Sequence, residues 1–508
     1  MSKFPNKDNK IEYYFSLKAD NFDLKTKAMR GGLVSIASRL ILLSIQFISV
    51  AILARLLSPD DFGLIAMAQV FVNLFFVFQD VGLTDATIQA PKLDHKIAST
   101  LFWINSGIGL IIAIFILILA PFAVMFFKRT QLLLILFIYS TIFIFYGLSF
   151  QHIALLKRKL KFLQIGIINI ISYFLATAAA ILMASLGMKY WALVFRDIVA
   201  AFSTMILAWI YCSWRPGKPQ KSEEVKKLVK FGANSVGFYI INYFSNNFDK
   251  TIIGKKFGGE PLGFYSRAYY IAATPSGQLS QSLFHVAVST LSKLRSNMEK
   301  FESYYFNAIS LISFIGMPFS ALIVVMNKEL VYILLGPKWN PTAELFAILG
   351  LSSGLNIIYQ TNGWLHVSLG RSDRWLRWGI FSSIILVSSL LIGMMFGIRG
   401  IAWAYTLTII FLTIPSILYA GKPAGLSFFS IMKAITKTSI SAILSGVILF
   451  EMKIFILNNL SLIPRLAISI VVYIIPYFLL LIIFSKGTGE IKRYVMQILS
   501  SFTKKDVL

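Results

Sequence analysis

Long apolar runs without interruption dominate this sequence. Leu110–Ala120 contains only apolar residues, and similar runs recur along most of the 508 residues. A helix of about 20 apolar residues can cross the hydrocarbon core of a bilayer. Only 14% of the residues are charged, against roughly 25% in a soluble globular chain. These features predict an all-α polytopic membrane protein and exclude both a soluble enzyme and a disordered tail.

Hydropathy, interrupted by Gly, Pro and charged residues, predicts about fourteen transmembrane helices. The seventh and eighth are the most polar, which gives a range of twelve to fourteen. The predicted spans begin near residues 33, 62, 99, 131, 163, 190, 230, 262, 303, 342, 376, 398, 433 and 463.

The basic residues are distributed unequally between the two sides of these spans. Segments on the side of the N-terminus hold 33 Lys and Arg residues, and the opposite loops hold 12. The positive-inside rule therefore predicts cytoplasmic N- and C-termini, with the first span as an uncleaved anchor. We attribute the net charge of +26 to topology and contact with anionic membrane lipids, and expect no nucleic-acid partner. One Cys and four His residues predict no metal site.

A repeat with an offset of 200 residues relates two parts of the chain. The turn Ser58–Gly63 aligns with Gly258–Gly263, and each is a short acidic turn with a Gly at the start of the next span. Six spans separate the copies, so both enter the membrane from the same side. This pattern predicts a parallel repeat, which is one of the symmetric plans of secondary transporters.

Several stretches in order resemble the bacterial polysaccharide-export flippases of the Wzx type. The match is nearest to the exporters of colanic and teichuronic acid, within the superfamily that also holds multidrug extruders and lipid II flippases. It covers about residues 28–420. The matching stretches are Arg55–Ala68, Asp80–Leu83, Leu155–Phe162, Gly187–Val194, Leu262–Tyr269 and Gly397–Trp403.

The resemblance implies two six-helix bundles around a central cavity, followed by two further helices. It also implies a substrate, a polyprenyl-diphosphate-linked oligosaccharide that moves from the inner to the outer leaflet. The expected parts are a cytoplasmic N-terminal segment (1–32), an N-terminal bundle (33–214), a cytoplasmic linker (215–229), a C-terminal bundle (230–420), two additional helices (421–485) and a cytoplasmic tail (486–508).

Three arginines lie inside predicted spans. Arginine suits a diphosphate because its planar guanidinium binds phosphate oxygens in pairs and stays charged. Such a residue in a membrane is costly and is a functional candidate by default. In the implied fold, Arg39 and Arg267 line the cavity and contact the diphosphate; otherwise they extend to lipid headgroups. Arg196 is adjacent to Asp197, but neighbouring residues on a helix point about 100° apart. We therefore expect no direct pair between them and a partner for each on another span, in a structural or a transport role.

Amides and hydroxyls are concentrated in the seventh and eighth spans. Asn242 and Asn246 share a helical face, with Asp249 one turn further along, and Gln278 follows in the eighth span. This face fits sugar hydroxyls or a coupling cation, or else hydrogen bonds between helices. We expect no cofactor, and both Na⁺ and H⁺ remain open as coupling ions. His285 fits proton coupling or a structural hydrogen bond.

Two other classes compete with a flippase. A multidrug or cation antiporter of the same fold would favour acidic residues in its cavity, whereas the charges within the spans are mainly arginines. A membrane polymerase or ligase of polysaccharides would need a sizeable loop outside the membrane, which the predicted spans leave no room for. The expected function is thus transport without catalytic residues, with lipid-linked oligosaccharide, membrane lipids and other polysaccharide assembly proteins as partners.

Overall fold

The computed structural model describes residues 21–79, 83–90, 93–220 and 243–503, and within these ranges it is helical with no β-strand. In chain order the helices are α1 (Asn21–Leu56), α2 (Pro59–Gln79), α3 (Leu83–Gln89), α4 (His95–Phe127), α5 (Gln131–Arg158), α6 (Phe162–Ser185), α7 (Trp191–Tyr211), α8 (243–257), α9 (Gly259–Leu294), α10 (Met298–Val325), α11 (Asn327–Leu334), α12 (Asn340–Gln360), α13 (Asn362–Ser368), α14 (Ser372–Gly393), α15 (Gly397–Gly421), α16 (Phe428–Phe455), α17 (Leu462–Ser485) and α18 (Gly489–Thr503).

The predicted membrane spans coincide with these helices. Ten stretches of the described residues are long and apolar enough to cross a membrane, and one of them, Ser372–Ala424, contains both α14 and α15. A helix lies at every predicted position except that near residue 230, which falls outside the described residues. The all-α polytopic class is confirmed, and the count of fourteen spans is consistent with the helices.

The chain divides into two compact units, 1–263 and 264–508. In the first unit, buried side chains from α4, α5 and α6 surround Trp214, whose indole donates to Nδ1 of His95 at 3.1 Å. The segment after α7 runs back along the start of α4. There the amide of Gly217 donates to Ser99 Oγ and that of Gln220 to Thr100 Oγ1, each at 2.9 Å. The beginning of the predicted linker is therefore bound to the bundle.

The second unit has a core in which the last three helices pack against α10. Phe314 on α10 contacts Tyr477 of α17 and is stacked on Tyr494 of α18, with ring centroids 4.8 Å apart. The Tyr494 hydroxyl also bonds to Ser310 Oγ at 2.5 Å. The segment 486–508, predicted as a tail, thus contains a helix that is anchored by a buried tyrosine.

Candidate functional site

The stretch that carries the clearest family resemblance forms the junction between α1 and α2. Ser58 precedes α2, its hydroxyl accepts from the amide of Asp61 at 3.2 Å, and the Asp61 carboxylate accepts from the amide of Ser58 at 2.9 Å. This reciprocal capping satisfies amides that a helix start leaves without partners. Pro59 occupies the first helical position, where its missing N–H costs nothing. The motif therefore fixes where α2 begins.

The two turns related by the sequence repeat are in contact, and both lie in the first unit. A side chain at Gly63 would overlap the carbonyl of Gly259, and one at Gly263 would overlap the carbonyl of Pro59. Asp60 faces the same junction and forms an ion pair with Arg129. The glycines that mark the repeat thus permit direct backbone contact between the two turns.

The two arginines predicted to bind diphosphate belong to different units. Arg39 is half-buried on α1 in the first unit. Arg267 is half-buried on α9 in the second unit, and its guanidinium lies over the ring of Tyr270, 5.1 Å from the centroid. A guanidinium over an aromatic face gains electrostatic attraction while its edge stays able to donate hydrogen bonds. Their roles as diphosphate ligands stay predictions.

Further tyrosines on α9 contact one another and a tyrosine of α15. Tyr265 is buried and stacked on Tyr269, and the Tyr269 hydroxyl lies 3.4 Å from that of Tyr405 on α15. These side chains combine aromatic surface with hydroxyls that donate or accept hydrogen bonds. Sequence reasoning selected Arg267 and missed the contact between Tyr269 and Tyr405, because these two tyrosines are 136 residues apart.

The expectation that Arg196 and Asp197 do not pair with each other is wrong, whereas a partner of Asp197 on another span is confirmed. They are paired directly with each other: Nε and Nη2 of Arg196 donate to Asp197 Oδ1 at 2.9 and 2.8 Å. The Cβ atoms of neighbouring residues on a helix point about 100° apart. The long side chain of Arg196 bends across that angle and reaches the Asp197 carboxylate. Tyr139 on α5 donates to the other carboxylate oxygen at 3.0 Å. This pair joins α5 to α7.

The polar series around the eighth helix is only partly described. Asn246 is exposed, whereas Asp249 is buried and accepts from the amide of Lys250 at 2.7 Å. The two side chains therefore have different environments, although they were predicted to share a face. Asn242 and the side chain of Gln278 lie outside the described residues, so their sugar or cation contacts stay predictions.

A second polar cluster inside the first unit was not predicted. Gln79, Asn105 and Gln151 are fully buried. Nε2 of Gln79 donates to the Phe143 carbonyl at 3.2 Å, and Oε1 of Gln151 accepts from Thr87 at 3.3 Å. Single amides on three separate helices give no sequence pattern, so only the packing of these helices reveals the cluster. Among the described residues, no group of three His, Cys, Asp or Glu side chains could hold a metal ion.

Comparisons with known proteins agree with this architecture. The family model described as polysaccharide biosynthesis protein matches residues 52–344. The chain is 24% identical to the lipopolysaccharide biosynthesis protein WzxC of Escherichia coli, over 79% of this chain and 82% of that protein. It is 22% identical to the teichuronic acid biosynthesis protein TuaB of Bacillus subtilis, over 72% and 76% of the two chains.

Solved structures share the fold at low sequence identity. The lipid II flippase MurJ in an inward closed conformation superposes with a TM-score of 0.71 and 15% identity, covering 89% of this chain and 99% of MurJ. An inward-facing multidrug resistance transporter of the MATE family superposes with a TM-score of 0.63 and 12% identity, covering 78% and 98%.

The fold and its long apolar helices define a multi-pass membrane protein. More particularly, the chain belongs to the polysaccharide biosynthesis protein family, because that model matches more than half of its length. The resemblance to the Wzx-type exporters is confirmed.

Proposed function

We propose that this protein is a flippase that moves a polyprenyl-diphosphate-linked oligosaccharide repeat unit from the inner to the outer leaflet for surface polysaccharide biosynthesis. The observation that carries the proposal is the family match over residues 52–344. The named relatives act in lipopolysaccharide and teichuronic acid biosynthesis, and the fold is shared with a lipid II flippase. We place the protein in the cytoplasmic membrane of a bacterium, with both termini in the cytoplasm.

The chemistry of the substrate determines what the protein must supply. The diphosphate needs cations, the sugars need hydrogen-bonding partners, and the polyprenyl chain stays in lipid. We assign diphosphate binding to Arg39 and Arg267 because both are cations on helices predicted to line the cavity, and a structural role to Arg196 because it pairs with Asp197. Tyr269, Tyr270 and Asn246 offer hydroxyl and amide groups for sugars. Transport requires no covalent step, and we infer alternating access driven by Na⁺ or H⁺.

A multidrug or cation antiporter is the second candidate, because a MATE transporter shares the fold. A site for cationic drugs favours exposed carboxylates. In the described structure, Asp197 is paired with Arg196 and Glu329 with Lys453. The charge pattern therefore favours an anionic substrate.

Deletion of the gene distinguishes the two functions. A flippase predicts that lipid-linked repeat units accumulate on the cytoplasmic leaflet while surface polysaccharide disappears. Complementation would compare the wild type with Arg39→Ala and Arg267→Ala at matched membrane levels. Arg371→Ala serves as the control, because Arg371 is exposed and contacts Asp373.

We expect the wild type and Arg371→Ala to restore export, and Arg39→Ala and Arg267→Ala to fail. If Arg39→Ala and Arg267→Ala both restore export, these arginines are not the diphosphate ligands, but the flippase function still stands. Normal surface polysaccharide in the deletion strain, combined with changed drug resistance, would reject the flippase.

A further inference from the structure

An apolar groove follows the outer surface of the second unit between α14 and α15. Its volume is about 720 Å³, and its walls include Ile385 on α14 and Leu407 and Phe411 on α15. This volume is in the range of about 300–1,000 Å³ that is typical of small-molecule sites. Phe411 is 71% exposed. On a membrane-spanning helix, the groove is therefore open to lipid.

The shape of the groove follows from the turn that joins the two helices. Gly397 has a φ of +77°, which glycine adopts without strain. Gly393 and Gly400 bring the backbones into contact beside the turn, since a side chain at either would overlap the carbonyl of the other. Further along, Ser389 and Thr408 bond to each other at 2.7 Å. Their hydroxyls are thereby satisfied within a largely apolar wall.

The length of the groove is similar to the depth of one leaflet. It extends along α15 from Arg399 to Leu412, a distance of about 20 Å at 1.5 Å per helical residue. One leaflet contributes about half of the roughly 30 Å hydrocarbon core, and a headgroup layer lies beyond it. A single acyl chain with its headgroup would therefore occupy the groove from end to end.

The end of the groove beside the turn carries two opposite charges. Arg399 donates to the Glu344 carboxylate at 2.7 Å, and their side chains are 69% and 49% exposed. Both groups are therefore accessible to a ligand while paired. Trp403 lies one helical turn from Arg399 and is half-exposed. Tryptophan at this position is typical of the boundary between headgroups and hydrocarbon.

We propose that this groove is a binding site for phosphatidylethanolamine, independent of the transported substrate. The lipid phosphate bonds to Arg399, its ammonium group bonds to Glu344, and one acyl chain lies along Leu407 and Phe411. Phosphatidylglycerol and polyprenyl phosphates would leave Glu344 without a cation from the ligand. The exposed pair of opposite charges therefore selects a zwitterionic headgroup.

The first unit provides a matched control. Gly187, Met188 and Lys189 repeat the pattern of Gly397, Ile398 and Arg399, and Gly187 also has a φ of +77°. Lys189 is exposed. Lys189→Gln thus removes a cation at the same kind of turn without changing the groove.

The test is a titration of the purified full-length protein with phosphatidylethanolamine, phosphatidylglycerol and undecaprenyl phosphate, read by native mass spectrometry. We expect Arg399→Gln to weaken binding of both phospholipids, for phosphatidylethanolamine by about tenfold, as loss of a charge-assisted hydrogen bond predicts. Glu344→Gln should weaken phosphatidylethanolamine only, and Lys189→Gln should change neither. Wild-type protein that binds phosphatidylglycerol as tightly as phosphatidylethanolamine would overturn the proposal, and so would undecaprenyl phosphate binding that Arg399→Gln weakens as much as phosphatidylethanolamine binding.

Filling the groove gives a second test that needs no change of charge. Leu407→Trp should abolish tight binding of phosphatidylethanolamine in the groove. Leu391→Trp should preserve this binding, because Leu391 is an equally exposed leucine on α14 that lies outside the groove. On the wild type, phosphatidylethanolamine with a photoreactive acyl chain should label peptides within 385–412. Labelling spread evenly over the lipid-facing helices, or equal binding by both tryptophan variants, would overturn the site.

Discussion

The carboxylate of Asp61 accepts a hydrogen bond from the backbone amide of Tyr190 at 3.0 Å, across 129 residues of sequence. The same carboxylate caps α2 through Ser58, with its Oδ2 accepting from the Ser58 hydroxyl at 2.6 Å. One buried side chain thus joins the start of α2 to the turn before α7. Asp61 thereby connects two stretches of the family resemblance, 55–68 and 187–194, that lie far apart in the sequence.

Asp61→Ala should destabilise the first unit. It removes the hydrogen bonds between the Asp61 carboxylate and Ser58, worth about 0.5–1.5 kcal/mol each. It also leaves the Tyr190 amide without its partner, at a further cost of about 1–3 kcal/mol. Thermal unfolding of the detergent-solubilised protein would measure the loss. Asp373→Ala is the control, because its carboxylate is exposed, and it should leave the thermal stability nearly unchanged. Equal effects of the two substitutions would contradict the structural role of Asp61.

Arg196 and Asp197 should behave as one unit. Removing either charge leaves the other without its partner within the membrane span. The pair is half-buried, so we expect a loss below the roughly 3–5 kcal/mol that is typical of a fully buried pair. Arg196→Gln and Asp197→Asn should therefore each lower the thermal stability and the membrane level of the protein. A double variant that carries Arg196→Gln and Asp197→Asn should recover most of the lost thermal stability and of the membrane level.

Polysaccharide export separates a structural role of this pair from a transport role. Export by the double variant at wild-type membrane levels would support the structural assignment. A double variant that is stable and does not export would place Arg196 in the transport path.

The buried carboxylate of Glu329 contacts two cations. Lys453 on α16 donates to it at 2.8 Å, and Arg465 on α17 lies 3.6 Å away. Glu329→Gln would leave two cations side by side, so we expect a loss of about 3–5 kcal/mol. Lys453→Met should cost less, because Arg465 still pairs with Glu329. Thermal unfolding of both variants measures which of them loses more stability. A larger loss for Lys453→Met than for Glu329→Gln would contradict this arrangement.

The docking of α18 should depend on pH through Glu490. Partial burial opposes ionisation of Glu490, but hydrogen bonds from Lys437 and Ser485, at 2.6 and 2.8 Å, outweigh it and lower its pKa. A lowered pKa in the folded state gives stability that is present above the usual glutamate range, near 4.3. That stability is lost as the pH falls through the lowered pKa.

Thermal unfolding of the wild type and Glu490→Gln tests this pH dependence. The wild type should be more stable at pH 7, and the difference should shrink towards pH 3.5. Glu451→Gln, at an exposed position on α16, should show no such trend. A difference between wild type and Glu490→Gln that is constant over this range would contradict the assignment.

Much of the fold could be predicted from the sequence, because the relevant signals are local. Each predicted span that falls on described residues coincides with a helix, since the length of an apolar run is itself the requirement for crossing a bilayer. The turn at Ser58 was also recognisable, because helix capping selects particular residue types. The candidate site was less predictable. Arg267 could be selected by its charge, but the contact between Tyr269 and Tyr405 depends on the packing of two distant helices and could not be predicted.

The sequence by itself determined the class of membrane protein, the positions of its spans, the charge bias between its two sides and the motifs of its family. All of these depend on residues close together in the chain. Only the tertiary structure decided which polar groups meet. Tyr494 bonds to Ser310 across 184 residues, and Lys453 to Glu329 across 124. Such contacts depend on side-chain reach and helix packing, and these emerge only when distant helices come together.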